Sequence, residues 1–180
     1  MSAEAVRRVL VIGSGGAGKS RLAAQIAERL SLPLVRLDAL YWHAGWVPTP
    51  KEEWNALVRE LSAADAWVMD GNYGGTLPLR LERCDAVVFL DLPRLVCMWG
   101  LVSRWLRYRG RTRPDLAAGC PERMSWEFIV WVWSYPSRRR GEILAKLGAL
   151  PPSKRVTVLT SRRAARRFVD GLGLGLRASL

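Results

Sequence analysis

Short runs rich in Val, Ile and Leu alternate along the chain with longer stretches in which apolar residues return every three or four positions. The first pattern marks buried strands and the second amphipathic helices, so their alternation predicts a parallel sheet with crossover helices. Strands are expected at residues 9–12, 34–37, 66–69, 86–90 and 155–159. Helices are expected at 19–30, where Leu22, Ile26 and Leu30 share a face, and at 51–61 after the Pro48 and Pro50 loop. Ser161 is placed to cap a C-terminal helix. Between the fourth and fifth strands the alternation lapses into a long helical region over 93–147, rich in arginine and tryptophan and interrupted by GRTRPDLAAGCPE. There Leu95, Met98, Leu101, Val102 and Trp105 are expected to face the core, as are Trp126, Ile129, Val130 and Trp133 of WEFIVWVWSY. The tail GLGLGLRASL is expected to fray or pack loosely.

At 180 residues the chain has the length of one domain, read here as a single unit over 1–180 with 104–122 as a lid segment. Its 28 Lys+Arg against 16 Asp+Glu give a formal charge of +12 and a pI near 10.7, and most of the cations are arginine. Arginine's planar fork pairs bidentately with phosphate, so anionic partners are expected, although charge alone does not name the anion. Cys84, Cys97 and Cys120 are widely spaced and form no CxxC pair, which argues against a disulfide framework or a zinc site and for a reducing cytoplasm. The longest apolar run, AVVFLDLPRLVCMWGLV, is broken by Asp91, Pro93 and Arg94, so no membrane segment is expected.

The sharpest motif is GSGGAGKS, which fits G-x-x-x-x-G-K-[ST] between an expected strand and an expected helix. In such a loop the backbone N–H groups of Gly13, Ser14, Gly15, Gly16, Ala17 and Gly18 turn toward phosphate oxygens, and the helix N-terminus adds partial positive charge. Lys19 would reach the terminal phosphates of ATP, and the Ser20 hydroxyl would ligate Mg²⁺. A second ligand is expected from a strand-end carboxylate, and Asp70 of WVMDG occupies that position. Asp38 precedes the aromatic stretch LYWHAGW, where a carboxylate could take a proton from an acceptor and Trp42 and Trp46 could stack on a base. His43 reads as a loop residue, and Asp91 of FLDLP reads as structural. Arg104, Arg107 and Arg111 share a helical face that could present guanidinium groups to a phosphate chain.

Taken together, GSGGAGKS, LDALYWHAGW, WVMDGNYGGTLPLRL, VVFLDLPR, YRGRTRPD and GCPE resemble the bacterial topology modulation protein family, adenylate-kinase-like P-loop proteins, over about residues 9–169. The resemblance implies an α/β P-loop nucleoside/nucleotide kinase-like three-layer sandwich, with a five-stranded parallel sheet and a helical, arginine-rich lid insertion. It implies ATP and Mg²⁺ as cofactors, with Asp70 positioning the metal. It further implies Asp38 as base or acceptor ligand, Trp42 beside it, Arg80 at an acceptor phosphate, and Arg104, Arg109 and Arg113 as catalytic lid arginines. Arg21 stands where the family often has threonine, which touches a secondary phosphate contact. Two functions fit. One is a kinase transferring the ATP γ-phosphate to a nucleotide, nucleoside or other small acceptor. The other is an ATP-binding regulator that grips DNA through Arg138, Arg139, Arg140, Arg162, Arg163, Arg166 and Arg167 with little turnover, and a kinase could also affect DNA topology indirectly.

Overall fold

In the computed structural model, which describes residues 6–173, five strands form one parallel sheet. They are β1 (Arg8–Gly13), β2 (Leu34–Arg36), β5 (Trp67–Asp70), β6 (Ala86–Leu90) and β7 (Arg155–Leu159), in the spatial order β2-β5-β1-β6-β7. A separate antiparallel pair, β3 (Trp42–His43) and β4 (Val47–Pro48), forms a small hairpin at the same end of the molecule as the phosphate loop's partners. The helices are α1 (Lys19–Leu30), α2 (Leu37–Tyr41), α3 (Lys51–Ala63), α4 (Leu77–Arg83), α5 (Arg94–Tyr108), α6 (Trp126–Arg138), α7 (Arg140–Gly148) and α8 (Arg162–Gly173). The Ser161 hydroxyl accepts from Ala164 N at 3.1 Å, as a cap should. The expectation for the tail falls outside the described residues from 174 onward.

Strand side chains explain the layers. Val9, Val11, Val68 and Val88 pack under α1, α5, α6 and α8, whereas Leu10, Ile12, Met69, Val87 and Phe89 pack against α3, α4 and α7. Each central strand is therefore buried on both faces, which is why it reads as an unbroken apolar run. In register, Val11 pairs with Asp70 and with Val88, and Gly13 with Leu90. The carboxyl ends of β1, β5 and β6 thus finish level, and everything that follows them emerges at one edge.

Several expectations need correction. The strand expected over 34–37 stops at Arg36, because Leu37 is fully buried as the first residue of α2. On α5 the buried residues are Cys97 and Leu101, while Leu95 is 68% exposed and Trp99 63%. A Cβ at Gly100 would lie 2.1 Å from the Gly16 carbonyl oxygen, so α5 turns its smallest residue to the phosphate loop and rolls its larger side chains outward. On α6 the expected core row is the exposed one: Trp126 is 73% exposed and Trp133 47%. Val132 and Tyr135 are buried in its place, because Phe128 and Val132 close on Gly15.

Candidate nucleotide and acceptor site

The phosphate loop runs from the end of β1 into α1, and Gly16 and Gly18 take φ of +71° and +95°, conformations that an L side chain resists. Lys19 donates from Nζ to the Ser14 carbonyl at 2.9 Å, folding the ammonium back over the loop. Burial lowers its pKa, Asp70 and Asp38 oppose that, and Arg104 pushes with it. Three groups far apart in sequence therefore surround this ammonium. Asp70 is 6% exposed, and its Oδ1 is buried without a hydrogen-bond partner. Burial pushes its carboxyl up to about 6, while Lys19 and the Ser20 hydroxyl pull the other way. Arg21, the next residue of α1, is exposed.

Two polar side chains that sequence reasoning missed hold the loops in place. Asn72 accepts from Gly13 N at 3.1 Å and donates to Gly13 O at 2.7 Å, so the segment after β5 grips the first residue of the phosphate loop. Tyr73 donates to Asp38 Oδ1 at 2.7 Å. Burial, and then the Asp38 charge, push the Tyr73 hydroxyl far above the usual phenol range, which keeps it a donor. A tyrosine following a strand-end Asp-Gly-Asn carries no chemical signal in sequence, and only its pairing with Asp38 across 35 residues reveals it.

Arg80 takes a place other than the acceptor phosphate. It is 0% exposed, and its guanidinium donates to the carbonyls of Gly71 at 2.7 Å, Tyr73 at 2.9 Å and Asn72. Burial brings it down to about 10. With its donors committed to main chain, Arg80 fixes the shape of the 71–76 loop. Trp42 also packs inward, edge-on to Tyr41 at 4.8 Å and to Trp46 at 5.5 Å.

Of the three arginines expected in the lid, two converge. Arg104 Nε donates to Glu122 Oε1 at 3.1 Å, and Arg113 Nε lies 2.7 Å from Glu122 Oε2. Arg113 also pairs with Asp115 at 3.1 Å, and Arg104 lies over the Phe128 ring. Burial and the adjacent Arg113 lower the Arg104 pKa, and Glu122 opposes them. Arg109 lies outside this cluster, exposed and stacked over Trp105. Glu122, 5% exposed, is the further residue that GCPE contributes. The signal for it was a lone carboxylate within an arginine-rich stretch.

The segment bearing these groups is stapled to the β3–β4 hairpin. Gly45 N donates to Gly119 O at 2.8 Å, Trp46 Nε1 to Pro121 O at 3.0 Å, and the Cys120 thiol to His43 O at 3.1 Å. On the outer side of the phosphate loop, Leu95, Val96 and Trp99 of α5 and Ser161 and Arg162 before and in α8 wall a cavity of about 430 Å³.

A five-stranded parallel sheet, a phosphate loop between β1 and α1, and an arginine-bearing segment between its last two strands make a P-loop kinase-like fold. The chain is similar to shikimate kinase from Acinetobacter baumannii, solved in complex with shikimate, with a TM-score of 0.62 and 20% identity over 98% of this chain and 97% of the other. It is also similar to a sugar kinase from a Janibacter species (TM-score 0.52, 19% identity, 97% and 96% covered). Shikimate kinase from Bacteroides thetaiotaomicron gives a TM-score of 0.51 at 19% identity, with 96% and 99% covered. No protein-family model matches the sequence, and no curated protein matches it.

Proposed function

We propose that the protein is an ATP-dependent kinase acting on a small acceptor, of the kind the topology modulation motifs suggest. The observation that carries this reading is the convergence of Lys19, Asp70, Asp38 and Arg104 on one buried point at the mouth of the phosphate loop. A protein that only binds ATP has no use for a second carboxylate and a mobile cation there. The loop N–H groups and Lys19 hold the phosphates, and the apolar cavity beside α5 takes the base. Ser20 and the unpartnered Asp70 oxygen form a hard-oxygen pair that fits Mg²⁺, which would neutralise charge on the transferring group. Transfer forms a bond from the acceptor oxygen to the γ-phosphorus and breaks the bond from that phosphorus to the β–γ bridging oxygen, leaving ADP. Asp38, held by Tyr73, receives the acceptor proton. Arg104, and Arg113 behind it, stabilise the charge that develops on the transferred group. Here 109–125 serves as the lid that excludes water.

The test is incubation with Mg·ATP and a pool of small acceptors, with product separated by chromatography. Replacing Lys19 with Ala is expected to lower transfer by on the order of 10²-fold or more. Turnover unchanged by that substitution would remove the phosphate-loop assignment.

A further inference from the structure

A second crevice, of about 160 Å³, opens on the face of the sheet away from α1, between the segment after β5 and the pair α6 and α7. Ile12 forms part of its wall, one residue before the phosphate loop, and Asn72 and Tyr73 form another part. Tyr73 therefore lines the crevice while its hydroxyl holds Asp38. Tyr135 lines it too, at 5% exposure, and its hydroxyl has no hydrogen-bond partner. At the rim stand Arg139 and Lys146. Glu142 lies between them, 3.5 Å from Arg139 and 2.6 Å from Lys146, so two cations face one carboxylate and one positive charge is left over.

We infer that this crevice seats the acceptor, and that the acceptor is a small hydroxylated anion bearing a carboxylate or phosphate, not a nucleoside monophosphate; the inference rests on the kinase reading. Size supports it. A cavity of about 150 Å³ admits a benzene-sized body, so this one suits a ring or chain of about six to eight heavy atoms and not a base with its ribose phosphate. Polarity agrees: a rim with excess positive charge meets the anionic group, and the orphan Tyr135 hydroxyl offers a hydrogen bond deeper in. The aromatic cluster around Asp38 offers no alternative berth for a base. Trp42 is edge-on to Tyr41 and Trp46, Arg123 covers the Trp46 ring at 5.0 Å, and Tyr73 is tilted against Tyr41 and Trp54. The acceptor's anionic end thus lies toward α7, and its reacting hydroxyl reaches past Tyr73 toward Asp38 and the phosphate loop.

The experiment uses four probe sets with Mg·ATP: four- to seven-carbon polyhydroxy carboxylates, sugar monophosphates, the matching neutral polyols, and nucleoside monophosphates. Wild type is compared with Arg139→Ala, Lys146→Ala and Tyr135→Phe, the first two being surface substitutions that leave the fold intact. The expected result is transfer to a carboxylate or a sugar phosphate, with the acceptor KM rising about tenfold or more in Arg139→Ala while the KM for ATP holds, as befits a lost charge-assisted contact. Whether carboxylates or phosphates respond identifies the anionic group. Equal transfer to neutral polyols or nucleoside monophosphates, or an acceptor KM unmoved by all three substitutions, overturns the inference while the kinase reading stands. Calorimetric titration of the same probes separates the two failures: anion binding that Arg139→Ala abolishes, with no Lys19-dependent transfer, keeps the crevice and discards the kinase. No binding of any anionic probe, alongside intact ATP binding, discards the crevice.

Discussion

Asp70 ends β5 with one carboxylate oxygen buried and unpartnered, an arrangement that costs free energy unless something fills it. Its folded pKa of about 6 lies above the unfolded value of 3.8, so between those values the folded state binds more protons than the unfolded one. Stability from this group is therefore present at the acid end of that window and is lost as pH rises through about 6. In chelator-treated protein, Asp70→Asn is expected to raise the unfolding midpoint at neutral pH, by up to the order of 2 kcal/mol. The same substitution should flatten the slope of stability between pH 4 and 6 and eliminate metal-dependent turnover. Chemical denaturation across that pH range is the measurement, and a lower midpoint for the variant at neutral pH would contradict it.

At the scale of elements, Glu122 decides where two helices and a loop meet. It receives Arg104 from α5 and Arg113 from the connecting loop, and all three are largely out of water. Removing one partner of a buried charge group costs more than the pair contributes, so Glu122→Ala is expected to lower stability by about 3 to 5 kcal/mol. Glu122→Gln keeps the shape and one acceptor oxygen. It is expected to lose less stability, yet to depress kcat more than the KM for ATP, because Arg104 and Arg113 lose their aim. Denaturant midpoints and steady-state kinetics on the two variants check this, and equal stability losses would contradict it. The helices α5 and α6 carry the same lesson about faces: their periodicity marks an apolar row, but Gly100 and the pair Phe128 and Val132 choose which row turns inward.

Across the whole molecule, the hairpin after α2 and the loop after α5 meet over the site although more than seventy positions separate Gly45 from Gly119. Trp46 anchors the junction through Pro121 O and the Arg123 guanidinium. Trp46→Ala is expected to free the 109–125 segment without unfolding the sheet. Trypsin should then cut at the exposed Arg109 and Arg111 several-fold faster, while the global midpoint shifts by less than about 1 kcal/mol. Cleavage at an unchanged rate would show the staple to be dispensable. Among the described residues no helix is long and apolar enough to cross a membrane.

What could be read without coordinates follows from local rules. A strand buried on both faces must be apolar throughout, and a phosphate loop must keep glycines, lysine and a hydroxyl at fixed spacing. The sheet, α1, β6, β7 and the place of Lys19, Ser20 and Asp70 were therefore legible, as was a lid-like interruption rich in arginine. The tertiary structure alone decided what each arginine does: Arg80 is spent on its own loop, Arg104 and Arg113 are gathered by Glu122, and Arg109 stays outside on Trp105. A guanidinium looks the same in any sequence. Its role is set by which carbonyls, carboxylates and rings the fold brings within reach, and those come from positions that no local spacing connects.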